Sequence, residues 1–117
     1  MPRAKGGPKT HRRHKRILAM AKGYRGGRSR LYRTAQETVD RALCFAYRDR
    51  KARKRDFRQL WIARINAASR TLGVPYSRLA AGLDKADVRI NRKMLSEMAI
   101  YNPDDFAKVV TLAKEQG

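Results

Sequence analysis

The chain is predicted to be all-α on three observations. Between Arg28 and Leu72 there is neither glycine nor proline, a run of 45 residues. Inside that run apolar residues recur at steps of three and four, first as Leu31, Ala35, Val39, Leu43 and Ala46, then as Phe57, Trp61, Ile65, Ala68 and Leu72. No segment keeps the period of two that a strand requires, and the short DVRIN of residues 87–91 reads as a connector. The expected architecture is a long basic N-terminal helical extension (short helix, glycine-rich joint, long helix), residues 1–59, followed by a small globular helical bundle, residues 60–117.

Taken in order, residues 1–9 read as an extended basic arm, because Pro2, Gly6, Gly7 and Pro8 oppose regular structure. Thr10 is the expected N-cap of a short helix, HRRHKRILAMAK, stopped by Gly23. GYRGGRSR then forms the joint. The long run that follows would span on the order of 65 Å as one helix at 1.5 Å per residue, so its middle is expected to stand outside any protein core. Two helices with a kink near residue 50 are the alternative. Gly73 is the expected C-cap, with Pro75 close behind. Three shorter helices are predicted near 76–86, near 91–101 with Asn91 as N-cap, and near 103–116. The last starts with Asn102 as cap, Pro103 in the first turn, and Asp104 and Asp105 at the positive end of the dipole.

Enough apolar residues lie in the second half for a small core: Leu60, Trp61, Ile65, Leu72, Leu79, Leu83, Val88, Ile90, Met94, Leu95, Met98, Phe106, Val109 and Val110. The first half is different. Residues 1–59 hold 20 Lys/Arg against 4 Asp/Glu, whereas residues 60–117 hold 9 against 6, and no acidic residue precedes Glu37. Counter-charge for the first third must therefore come from another molecule. Residues 48–58 sharpen the point: Arg48, Arg50, Lys51, Arg53, Lys54, Arg55 and Arg58 make seven like-charge pairs at helical spacing, against two attractive ones, Asp49 with Arg53 and Arg53 with Asp56. At ~0.2–0.5 kcal/mol per pair the excess of five costs an isolated helix about 1–2.5 kcal/mol. Solvated surface helices balance the two signs, whereas this one carries seven basic residues against Asp49 and Asp56.

A polyanion is thus expected, and RNA is favoured over DNA because the cations occupy several elements in place of one groove-reading face. They are Arg3, Lys5 and Lys9 in the arm; Arg12, Arg13, Lys15, Arg16 and Lys22 in the short helix, where His11 and His14 are further candidate contacts; Arg25, Arg28, Arg30 and Arg33 at the joint; and the seven of residues 48–58. Tyr24, Tyr32, Tyr47 and Phe57 interleave with them and could stack on unpaired bases, Phe57 being equally suited to a core. No apolar run reaches the roughly 20 residues of a membrane span, and the N-terminus has no apolar segment of a secretory signal. Arg-rich and acid-poor, it shares those traits with a mitochondrial presequence, but Gly6, Gly7 and Pro8 interrupt it. A single cysteine, Cys44, fits a reducing compartment.

The segments HKRILAMAKGYRGGRSRLYR, FAYRDRKARKRDFRQLWIARINAA and YSRLAAGLDKADVRINRKMLSEMAI resemble the bacterial-type large-subunit ribosomal protein twenty family, from about Pro2 to Ala113. The resemblance implies an all-helical protein whose extension is buried in large-subunit (23S-type) rRNA. It implies an early-assembly role at a junction in the second rRNA domain, beside large-subunit proteins thirteen and twenty-one, and for some members translational autorepression through their own messenger RNA. A cytoplasmic, ribosomal location follows from it, with no cofactor, membrane or small-molecule substrate. Two positions depart from the family's usual pattern: Arg25 stands where a second aromatic is common, and Asn91 where an acidic helix-start residue is common.

Other readings are weaker. His11 and His14 have metal-ligand spacing but no third ligand nearby, and the surrounding cations oppose one. Gly23-Tyr24-Arg25-Gly26 matches a KH-type loop, yet that fold needs a sheet. Glu37 and Asp40 share a helix face and are expected to pair with neighbours such as Arg33 and Arg41 instead of acting as an acid/base couple. Cys44, beside Leu43, is expected to be a buried structural thiol. No nucleophile, base and orienting group converge, so catalysis is not expected. A DNA-compacting or helix-turn-helix regulator built on residues 76–101 is the alternative from another class, but that region carries only Arg78, Lys85, Arg89, Arg92 and Lys93 against Asp84, Asp87 and Glu97.

Overall fold

The computed structural model describes residues 1–3 and 6–117. Among the described residues six helices follow one another, α1 (Pro8–Met20), α2 (Gly27–Arg30), α3 (Tyr32–Thr71), α4 (Tyr76–Lys85), α5 (Arg92–Tyr101) and α6 (Pro103–Gln116), and there is no strand. The chain divides into two compact units, Met1–Lys51 and Ala52–Gly117, with half of α3 in each.

In the first unit, helix begins earlier than the caps suggested. Pro8 occupies the first turn of α1 and Gly7 its N-cap, so Thr10 lies inside the helix and caps nothing. Proline's fixed φ suits that turn, and its missing N–H costs nothing there. Ala21, Ala35 and Val39 are buried together, with Ile17, Leu18 and Tyr24 packed on them. Leu31, expected on the same stripe, is instead an extended residue between α2 and α3 and is exposed. Leu43 is exposed as well, because the cluster ends at Val39. Cys44 is exposed, not buried: five residues beyond Val39 it points about 140° around the helix from the packed face.

α3 is helical from Tyr32 to Thr71, four residues shorter at its start than the glycine-free run. It ends in a Schellman motif. Val74 N–H donates to the Ser69 carbonyl (3.0 Å) and Gly73 N–H to the Arg70 carbonyl (3.0 Å), with Gly73 at φ +82°, a conformation closed to most side chains. Val74 then enters the core as the apolar partner of that motif. α4 ends the same way, with Val88 donating to Leu83 (3.0 Å) and Asp87 to Asp84 (3.2 Å), but here Asp87 holds the left-handed position at φ +52°.

The second unit has the larger core: Ile65, Val74, Leu79, Leu83, Leu95, Phe106, Val110 and Ala113, with Val88, Ile90, Met98 and Val109 partly buried against it. α4 meets α6 at Gly82, where a Cβ would fall 2.9 Å from the Ala113 carbonyl carbon and 3.0 Å from its Cα. Four expected core members lie elsewhere. Leu60 is exposed about 140° from Ile65, and Met94 about 100° from Leu95. Leu72 is exposed just past the end of α3, where its carbonyl accepts from Lys114 Nζ (2.8 Å). Trp61 is half-buried against Phe57, ring centroids 6.1 Å apart, outside the buried cluster. Asn91 caps α5 as expected, its Oδ1 accepting from Met94 N–H (2.8 Å). Asn102 stands at the N-cap of α6 but makes no side-chain cap bond.

Candidate nucleic-acid interface

The helices of the basic half have no electrostatic reason to form on their own. An acidic residue in the first turn would complement the helix dipole, and α1, α2 and α3 have none there. Every expected RNA-contacting Lys and Arg among the described residues is exposed; Lys5 lies outside them. Of these cations only Arg48 closes an ion pair among the described residues, with Asp49 at 3.0 Å. The attractive pairs Asp49–Arg53 and Arg53–Asp56 do not form, and neither do Glu37 or Asp40 with Arg33 or Arg41. Those carboxylates stay exposed, where an ion pair gains little against side-chain entropy.

The aromatic residues separate into engaged and available ones. Tyr24 packs on the small cluster of the first unit. Tyr32 stacks on His14, ring centroids 3.6 Å apart and planes 19° from parallel, so neither ring has both faces open. Phe45, Tyr47 and Phe57 are exposed. Arg48 lies 4.4 Å from the Phe45 ring centre, and Lys51 Nζ reaches the Tyr47 hydroxyl at 2.6 Å. Cations held over or beside rings present the mixed charge and π surface on which single-stranded nucleotides bind.

Two open grooves collect these groups. One, in the first unit, is lined by Tyr24, Arg25, Arg28, Thr34, Glu37, Thr38, Arg41, Ala42 and Phe45. The other, in the second unit, is lined by Lys54, Arg55, Arg58, Trp61, Asn91, Arg92 and Lys93. Arg41, Trp61, Arg92 and Lys93 were not among the expected contact residues. A local signal for the last two exists in the sequence. Arg92 and Lys93 directly follow the N-cap Asn91, so two cations sit at the positive end of a helix, an arrangement that is unfavourable until an anion joins it. Arg92 is held in place by the Tyr76 hydroxyl, which accepts from its Nε at 2.7 Å.

This surface can neutralise phosphates along a backbone and stack exposed bases. No described helix is long and apolar enough to cross a membrane. The family model described as "Ribosomal protein L20" matches residues 3–109. The chain is 60% identical over 114 residues to "Large ribosomal subunit protein bL20" of Nitratidesulfovibrio vulgaris, covering 97% of each chain. It is 58% identical to the protein of the same description from Trichlorobacter lovleyi, and 56% to that from Geobacter sulfurreducens, over 116 residues and 99% of each chain in both cases.

Proposed function

Since the chain belongs to the ribosomal protein L20 family, whose members are structural and not enzymes, we propose that it binds 23S-type rRNA through the basic extension of residues 1–59. In this reading it organises that RNA as the large subunit assembles in the cytoplasm. The observation that carries the reading is the set of exposed cations across α1, α2 and the first two-thirds of α3, nearly all without a carboxylate partner. Arg50, Arg53, Lys54, Arg55 and Arg58 repel one another along two turns of helix, and interleaved phosphates turn the same spacing into contacts. Arg92 and Lys93 extend the surface beyond the extension.

The second rRNA domain and neighbouring proteins thirteen and twenty-one are the partners that the family resemblance suggests. Autorepression would use the same surface on the chain's own messenger. The test is competition among a structured fragment of the second rRNA domain, the leader of its own messenger and duplex DNA of equal length, at one stated salt concentration. The rRNA fragment should win over DNA, and affinity should fall with salt at a log–log slope of roughly −6 to −7 if ~8 phosphates are touched. Arg12→Ala with Arg13→Ala should weaken specific and unspecific RNA alike. A slope near zero, or preference for DNA, would overturn the reading.

A further inference from the structure

Glu37 is out of place in the groove of the first unit. It is the first acidic residue of the chain and the only carboxylate lining a groove that also holds Arg25 and Arg41. Arg41 follows it by one helical turn in the favourable orientation, yet no ion pair closes between them. A carboxylate left among cations that face phosphates weakens anion binding unless it meets a donor of its own. An RNA chain has no donors on its phosphates; its donors are the ribose 2′-hydroxyls and the ring N–H and amino groups of its bases, and only a base sets two donors side by side against one carboxylate. The aromatic residues show where a base would lie: Glu37, Arg41 and Phe45 follow at steps of four on one face of α3, and Phe45 is 44% exposed with Arg48 4.4 Å from its centre.

We propose that this groove is a subsite for an unpaired guanine of the bound RNA, stacked on Phe45 and read through its Watson–Crick edge by Glu37. The assignment rests on the RNA-binding reading above and adds a base preference to it. Guanine alone offers two parallel donors, N1–H and N2–H, to the two oxygens of one carboxylate, whereas adenine, cytosine and uracil offer one group each. The guanine must be unpaired, since pairing occupies that edge. Arg25 and Arg41 hold the flanking phosphates, and Arg48 closes on the ring face of Phe45 away from the base.

The experiment uses the full chain and five fluorescent 12-nucleotide uridine strands that carry guanosine, inosine, adenosine, cytidine or uridine at the centre, at one fixed salt concentration. Guanosine should bind roughly tenfold more tightly than adenosine, cytidine or uridine, with inosine, which lacks the N2 amino group, between them. Glu37→Gln puts an amide donor against the guanine donors and should bring all five strands within about threefold. Phe45→Leu should lower all five by a similar factor and keep their order. Equal affinity of the five strands for the unaltered chain, or a guanosine preference that survives Glu37→Gln, would overturn the subsite while leaving RNA binding intact. Failure to bind any strand at low salt would overturn the RNA-binding reading itself.

Discussion

The unit Ala52–Gly117 and the unit Met1–Lys51 are both helical, but they are helical for different reasons. Among the described residues the former buries eight hydrophobic side chains including Phe106, Leu79 and Ile65; the latter buries three, two of them alanine. Charge runs the other way. The unit Met1–Lys51 has 16 basic against 3 acidic residues, a net of +13, and Ala52–Gly117 has 13 against 7, a net of +6. Fixing one residue's backbone costs about 1–2 kcal/mol, which a core of Ala21, Ala35 and Val39 cannot offset across such a unit while like charges also repel. Order in the basic unit is therefore expected to depend on a polyanion, whereas order in the other is supplied by its own apolar side chains.

The widest difference should appear when the two are separated. A fragment of residues 52–117 should unfold cooperatively on heating in far-UV circular dichroism. A fragment of residues 1–51 should show little helix and no transition until an rRNA fragment is added, after subtraction of the RNA signal. In the full chain, amides of residues 10–22 and 45–58 should gain hydrogen-exchange protection on RNA binding, while residues 60–72 stay protected throughout. Equal protection of residues 45–58 without RNA would erase the contrast.

Within the second unit, Phe106→Ala should cost about 3–5 kcal/mol, since the ring is only 2% exposed and lies in the main cluster. So large a loss in a domain this small should abolish its melting transition. Gly82→Ala is expected to cost about 1–3 kcal/mol despite its gain in helix propensity, because the added methyl meets the Ala113 backbone, which cannot rotate away as a side chain would. Chemical denaturation of the full chain should report both. A Gly82→Ala chain of unchanged stability would mean that α4 and α6 separate easily.

These residues also mark what could be read in the sequence. Helix type, the connector at 87–91, Gly73 as terminator and Asn91 as cap were legible, because each depends on neighbours a few positions away. Which apolar residue reaches the core was legible only where periodicity is unambiguous, as at Ile65, Leu79 and Phe106. Leu60 and Met94 are apolar but face outward; Ala113 was missed because its burial depends on how α4 meets α6, and Val74 because Gly73 signals a helix end without showing that the turn carries the next residue inward. Cys44 was misjudged for the same reason: its helix is amphipathic, but nothing packs on that side. The basic character of the extension was plain from composition, whereas the second groove required Lys54, Arg55 and Arg58 to be brought beside Arg92 and Lys93, far away in sequence.

Trp61 distinguishes core from interface in a single side chain. Half-buried against Phe57 and lining the groove with Arg58 and Arg92, it should contribute only about 1 kcal/mol to stability when replaced by alanine, well below a buried aromatic. RNA affinity should drop by a larger proportion, since stacking of a base on an aromatic is worth about 1–3 kcal/mol. Denaturation and RNA titration of Trp61→Ala, compared with Phe106→Ala, check this. A loss of stability as large as that of Phe106→Ala, with RNA affinity unchanged, would return Trp61 to the core.

The smallest effect concerns the turn that closes α4. Asp87 occupies the left-handed position of a Schellman motif at φ +52°, where the corresponding residue after α3 is Gly73 at φ +82°. Aspartate tolerates that region better than most residues, yet it still strains where glycine does not. Asp87→Gly relieves the strain and loses an ion pair to Arg89 at 3.1 Å whose side chains are both largely exposed, so the lost pair matters little. Against the gain stands the greater backbone freedom of glycine in the unfolded chain. The net should be a rise of about 0.5 kcal/mol, seen as a small shift of the denaturation midpoint at unchanged slope, with RNA affinity unaltered because residue 87 lines neither groove. Asp87→Ala keeps the strain and loses the same ion pair, so it should move the midpoint the other way. Opposite shifts for the two variants assign the effect to backbone conformation; equal shifts would assign it to the Arg89 pair.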